Sequence, residues 1–246
     1  MRLELDRYAD DPSRPTGREV WRDLGVRVGI PAVVLWLAVV GVGLLLTGPM
    51  SALGDREQAV NQWFVEQRTD LLNTLTFWWS QIGTTETVIG ICVVVVGVVW
   101  WRTKQWWYAI VPAIAIGVQA AVFMLSALVV GRDRPEVEAL DVAPPTSSYP
   151  SGHSGASTAL YLTLAMMMQR VERAWLRVSV TVILLILPLL VVYARLYRGM
   201  HHLSDVIVGV INGLVCAWLA WHYLRRSPRP ADEPVASSAA AAEGAR

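Results

Sequence analysis

From Val28 to Thr47 the chain carries no charged residue, and the run is as long as a helix that crosses a bilayer, about 20 residues. Further apolar stretches follow at Thr85 to Trp101, Trp107 to Val130, Ser154 to Met168, Val178 to Tyr193 and Val206 to Tyr223. A segment surrounded by lipid must satisfy its backbone hydrogen bonds internally, and a run of this kind does so as a helix. The expected fold is therefore all-α: an integral membrane bundle of six transmembrane helices. The chain has 246 residues, 54% of them apolar, with a mean hydropathy of +0.42.

The segments between the spans set the order of the molecule. Residues 1–27 are polar and hold Arg2, Arg7, Arg14, Arg18, Arg22 and Arg27. Residues 28–224 form the membrane domain, and 225–246, rich in Pro, Ala, Ser and Glu, read as a disordered tail. Between the first two spans, Ala59, Val60, Trp63, Phe64, Leu71, Leu72, Leu75 and Trp78 recur near helical spacing among charges. That pattern fits one or two amphipathic helices lying on the membrane, or a structured connector. Trp100, Trp101, Trp106 and Trp107 flank a tight turn as an interfacial belt, and Pro188 is a kink point in span five. The arginines of the N-terminus, the 102–105 turn, the 169–177 loop and the C-terminus all fall on one side of a six-span topology. By the positive-inside rule that side is cytoplasmic. The 48–85, 131–153 and 194–205 segments then share the extracytoplasmic face.

A net charge of only +1 gives no basic field for nucleic acid. Cys92 and Cys216 lie inside apolar runs and read as buried hydrophobes rather than as a disulfide or a metal site.

Three polar clusters break the apolar pattern: Gly131-Arg132-Asp133-Arg134-Pro135, Tyr149-Pro150-Ser151-Gly152-His153, and Arg195 through His201 to Asp205. His201 and Asp205 are four apart and share a face of a helical turn. A carboxylate on one imidazole nitrogen would fix the tautomer and leave the other nitrogen free as nucleophile or base. Arg134 and Arg195 suit the oxygens of a phosphoryl group. Ser151 and Gly152 lead into a helix start, where free N–H groups favour an anion. Together they describe a phosphoryl pocket carrying two histidines, His153 and His201. His153, His201 and Asp205 could instead form a two-His, one-carboxylate metal site, but neighbouring arginines oppose a cation. His202 and His222 read as boundary residues. Arg198 is either a loop charge or a second anion ligand. Asp133, Glu136, Glu138 and Asp141 read as solvated.

These motifs resemble the type 2 phosphatidic acid phosphatase family, which shares its site with vanadium haloperoxidases and bacterial class A acid phosphatases. The family pattern is Lys, six residues, Arg-Pro; then Pro-Ser-Gly-His; then Ser-Arg, five residues, His, three residues, Asp. Here Pro150 to His153 is complete, Arg195, His201 and Asp205 keep the third motif with Ala194 for its Ser, and Arg134-Pro135 keeps the first with Ala127 where the Lys would stand. The resemblance implies a metal-independent phosphatase without cofactor, acting on a lipid phosphate or diphosphate such as phosphatidic acid or an isoprenyl diphosphate. It implies His201 as the attacking group, Asp205 as its orienting partner and His153 as acid and base. Arg134, Arg195, Ser151 and the Gly152 amide would hold the phosphoryl oxygens, with Arg132 expected to cover the missing lysine charge. A phosphotransferase using the same phosphoenzyme, and a degenerate lipid-phosphate binder or transporter, are the competing expectations.

Overall fold

The computed structural model describes residues 14–143 and 145–224, so the expected C-terminal tail and the first residues of the N-terminal segment lie outside the described residues. The described residues are helical, with no strand among them. The first helix, α1, is Gly17–Thr47 and includes a π-helical stretch at Leu24–Gly29. It is followed by α2 (Ala52–Glu66), α3 (Asp70–Gln81), α4 (Thr85–Thr103), α5 (Trp106–Val130), α6 (Gly152–Met168), α7 (Ala174–Tyr197) and α8 (Leu203–His222).

Five of these helices, α1, α4, α5, α7 and α8, are long and apolar enough to cross a membrane. Their outer faces carry Val33, Leu37, Val93, Val94, Leu128, Ile183, Leu189 and Ile207 exposed, apolar area that fits acyl chains rather than water. The remaining expected span, α6, has 17 residues and sits at the centre, packed against α5, α7 and α8, with most of its residues buried.

Helix limits follow local chemistry. Thr16 and Glu19 form a capping box that starts α1 ahead of the expected Val28. Thr69, Thr84 and Ser151 cap α3, α4 and α6. The polar loop after α5 opens at Gly131, φ 60°, and α7 ends just before Gly199, φ 71°, a backbone region that glycine enters without Cβ strain. α7 continues through Pro188 and runs a turn beyond Tyr193. Arg195, expected in a loop, is therefore helical. Its charge does not end the helix because it is paired inside the protein. Arg170, in the loop after α6, is buried, its guanidinium 4.2 Å from the Tyr108 ring centre and 4.9 Å from that of Trp221. Both cysteines are free and buried, as expected.

The segment between α1 and α4 is a pair of helices, and each buries polar residues four apart: Glu57 and Asn61 on α2, Thr76 and Ser80 on α3. Trp63, Leu71 and Trp78 remain exposed. The pair thus packs its polar stripe on the bundle and presents aromatic and aliphatic side chains outward.

α6 and α8 approach closely because Gly209 and Gly213 lie one turn apart on α8, a small-residue spacing that favours close helix contact. A Cβ on Gly213 would stand 2.5 Å from the Gly155 carbonyl oxygen, and one on Gly209 would stand 2.6 Å from that of Ser151. Gly97 on α4 is exposed with nothing near its would-be Cβ. Gly213→Leu is expected to cost about 3 kcal/mol or more by overpacking. Gly97→Leu should leave the melting temperature in detergent unchanged or raised. Equal melting temperatures for the two variants would refute the close-contact reading.

Candidate active site

The three polar clusters converge. A cavity of about 680 Å³ is lined by Arg134 from the first, Gly152 and His153 from the second, and Arg195 and His201 from the third. Its other walls differ in character. Ser80, Asp141, Thr146 and Ser147 continue the polar end, while Val88, Ile89, Ile116, Ala120, Phe123 and Met124 from α4 and α5 form an apolar flank. One chamber therefore combines a cationic head and a greasy side that faces neighbouring membrane helices.

His201 sits in the turn before α8 and is 4% exposed. Its Nδ1 lies 2.8 Å from the Ser148 carbonyl oxygen. A carbonyl only accepts, so Nδ1 carries the proton and Nε2 keeps its lone pair. Asn61 on α2 donates to the His201 carbonyl at 3.0 Å and fixes the backbone. Burial pushes the His201 pKa well below the ordinary histidine value of 6.5, and the positive charges of Arg195 and Arg134 push it further down. The ring is thus neutral at pH 7.

The partner expected for this ring was Asp205. Its carboxylate is 4.0 Å from Nδ1, beyond hydrogen-bond distance. It accepts instead from the Ser148 hydroxyl, from the His202 amide at 2.9 Å and from Arg132 at 2.6 Å. Asp205 thus acts on the imidazole through Ser148, whose side chain it holds and whose carbonyl holds the ring. His202 caps α8, and His222 lies at the far end of that helix, bonded to the Trp218 carbonyl.

Arg132 does not line the cavity. It is 8% exposed and its guanidinium spans Glu57 at 2.8 Å and Asp205 at 2.6 Å, with Ser204 beside them. The expectation that it replaces the missing lysine fails on geometry, because two carboxylates already take its charge. Ser151 is likewise behind the wall: fully buried, its hydroxyl is 2.9 Å from that of Ser154 at the start of α6. Arg134 is half-buried, donates to the Met200 carbonyl at 2.8 Å and forms no ion pair among the described residues.

Arg195 is buried, donating to Ser80 at 2.8 Å and to Asp141 at 3.0 Å. Asp141 also grips Arg198 through both oxygens, and Arg198 reaches Thr76 and the Asn73 and Leu140 carbonyls. Arg198 is therefore a clamp between α3, the loop and α7, and it does not line the cavity. Asp141, expected to be solvated, is the exception among the loop acids; Asp133, Glu136 and Glu138 are exposed. Burial alone would raise the Asp141 pKa, but the hydrogen bond from Arg198 and the charges of Arg195 and Arg198 hold it below the usual carboxylate value.

Ser148, Glu57, Asn61, Ser80 and Asp141 escaped the sequence reading. The recoverable signal was polar residues four apart on the inner faces of α2 and α3. Among the described residues no three His, Cys, Asp or Glu form a group able to hold a metal ion.

No curated protein sequence matches the chain significantly. Two solved structures share its fold. A transmembrane PAP2-type phosphatidylglycerolphosphate phosphatase from Bacillus subtilis aligns with a TM-score of 0.68 at 20% identity, over 79% of this chain and 94% of that one. LpxE from Aquifex aeolicus aligns with a TM-score of 0.53 at 20% identity, over 66% of this chain and 93% of that one. A family model described as the PAP2 superfamily matches residues 106–229, about half of the chain. Because that match takes in α5 to α8 and every polar cluster that meets at the cavity, the chain belongs to the PAP2 superfamily.

Proposed function

We propose that this membrane protein is a lipid phosphatase that works through a phosphohistidine at His201. The observation that carries the reading is the pinned imidazole: Nδ1–H held by the Ser148 carbonyl, in a ring lining a cavity shared with Arg134, Arg195 and His153. In the first step Nε2 attacks phosphorus, the bond from phosphorus to the lipid oxygen breaks, and His153 gives that oxygen a proton. In the second, His153 takes a proton from water, the hydroxide attacks phosphorus, and the N–P bond breaks to release inorganic phosphate and neutral His201. Arg134, Arg195 and the Gly152 amide neutralise charge growing on the phosphoryl oxygens. The apolar flank of α4 and α5 takes the start of the lipid tail, which supports phosphatidic acid-like or isoprenyl substrates. In this scheme arginines supply the positive charge, and no metal is required. A six-span topology with its arginine-rich segments in the cytoplasm supports a site outside the cytoplasm and both termini inside.

Phosphate release from a panel of lipid phosphates is expected to fall at least about 10³-fold in His201→Ala and His153→Ala. It should persist in chelator. Activity in His201→Ala equal to that of the unaltered protein, or loss with chelator, would refute the mechanism. Burial and the charge of Arg195 push the His153 pKa down to about 3 ahead of binding. The proton this ring donates therefore depends on the negative charge of the bound phosphate, and it is the pH profile of kcat that should be bell-shaped. Its acid limb follows loss of neutral His201 as pH falls through a pKa well below 6.5, so that limb should lie below pH 6.5. An acid limb at or above that value refutes the neutral, desolvated nucleophile. For topology, Glu138→Cys should react with a membrane-impermeant maleimide on intact cells, and Arg173→Cys only after permeabilisation. The reverse pattern would invert the orientation.

A further inference from the structure

The turn from His201 to Ser204 carries the ring that lines the cavity and leads into α8. Both ends of this turn are held by α2, an element outside all three polar clusters. Asn61 donates through Nδ2 to the His201 carbonyl at 3.0 Å. Glu57 accepts from the Ser204 amide at 2.6 Å through Oε1 and from the Ser204 hydroxyl at 3.0 Å through Oε2. The two residues are four apart, so they stand one above the other on the face that α2 buries.

Neither side chain is the cheapest choice for packing. Asn61 is 1% exposed, and its Oδ1 is buried with no hydrogen-bond partner among the described residues. An unpaired buried acceptor is costly, and an aliphatic side chain there would avoid the cost. Glu57 is a buried carboxylate whose charge is met by Arg132 at 2.8 Å. A buried ion pair is often matched in stability by apolar residues of similar volume. What the polar pair supplies is direction: a donor aimed at one end of the turn and an acceptor aimed at the other. Glu57 also reaches the ring by a second route. Arg132 joins it to Asp205, Asp205 holds the Ser148 hydroxyl, and the Ser148 carbonyl holds the His201 Nδ1–H. The backbone and the ring of His201 are thus both tied to α2.

Attack on phosphorus needs Nε2 in line with the bond to the leaving oxygen. A misplacement of about 1 Å at a reacting centre costs on the order of 100-fold in rate. We infer that Glu57 and Asn61 are positioning residues, a two-point grip by α2 that holds the His201 ring at its angle of attack without touching substrate. The inference rests on the phosphohistidine reading of His201 and extends it to a helix that no motif marks. In the step concerned, Nε2 bonds to phosphorus. The bond from phosphorus to the lipid oxygen breaks with its electron pair on that oxygen, which takes the His153 proton. The two α2 residues exchange neither bond nor proton. Gln58 provides a contrast on the same helix, since it bonds the Glu136 backbone instead of the His201 turn.

The test measures phosphate release from dioleoylphosphatidic acid and from farnesyl diphosphate by the full chain in detergent. Asn61→Leu and Glu57→Gln are expected to lower kcat about tenfold or more while KM changes less than about twofold. Asn61→Leu should keep its melting temperature, because the lost bond is offset by removal of the unpaired Oδ1, so its slower rate cannot come from unfolding. Gln58→Ala should match the unaltered protein. A kcat within about twofold of the unaltered value in both α2 variants overturns the inference, and so does an equal fall in Gln58→Ala. The ring itself is read by heteronuclear NMR of histidine-labelled protein, its signals identified by their loss in His201→Ala. The unaltered protein and Gln58→Ala should show a single Nδ1–H form, and the two α2 variants should show averaging with the Nε2–H form. A fall in kcat without that averaging also overturns the inference. If no lipid releases phosphate but the averaging appears, the phosphatase proposal falls and this one stands. If phosphate is released and both kcat and the His201 signals are unchanged in the α2 variants, the reverse holds.

Discussion

The carboxylate of Asp205, buried without exposure at the foot of α8, is the interaction on which the rest of the site depends. A lone charge in that position would be prohibitively desolvated, so it must be paired and hydrogen-bonded. Arg132 supplies the charge, and Ser148 and the His202 amide supply further bonds. Each of these links ties a separate segment to the start of α8. Arg132 in turn needs Glu57, and so draws α2 onto the bundle. Losing one member of such a cluster leaves an uncompensated charge, a penalty of about 3–5 kcal/mol. His201 is held at the end of this chain of contacts, through the Ser148 carbonyl.

The second ionic group has a different function. Asp141 joins Arg195 and Arg198, and through them the long loop, α3 and α7. It partly neutralises Arg195, while Arg134 faces the cavity with only a carbonyl partner. The positive charge lining the cavity therefore centres on Arg134 and the shared Arg195. Close glycine contact between α6 and α8 then sets the spacing of His153 from His201, since the two helices begin at those residues' neighbours. Packing and electrostatics are thus two views of one arrangement.

Much of this was legible beforehand because the bilayer limits the choices. Long apolar runs become helices, and alternation of sides forces distant polar clusters to a common level. Arg134, Gly152, His153, Arg195 and His201 were found in this way and by motif, and they line one cavity. What escaped was second-partner chemistry. Arg132 and Arg134 are indistinguishable as sequence, yet one is buried between carboxylates and the other lines the chamber. Asp141 looks like any loop acid until Arg195 and Arg198 are seen on either side of it.

The sequence by itself determined the helical membrane bundle, the family pattern and the identity of the histidines, because hydrophobic run length and motif spacing are local properties. Only the tertiary structure decided which charges line the cavity and which are paired within the fold. It also decided that His201 is oriented by a backbone carbonyl rather than directly by Asp205. Such outcomes depend on which side chains meet across helices far apart in the chain. A buried charge or amide is defined by its partner, and no spacing along the sequence names that partner.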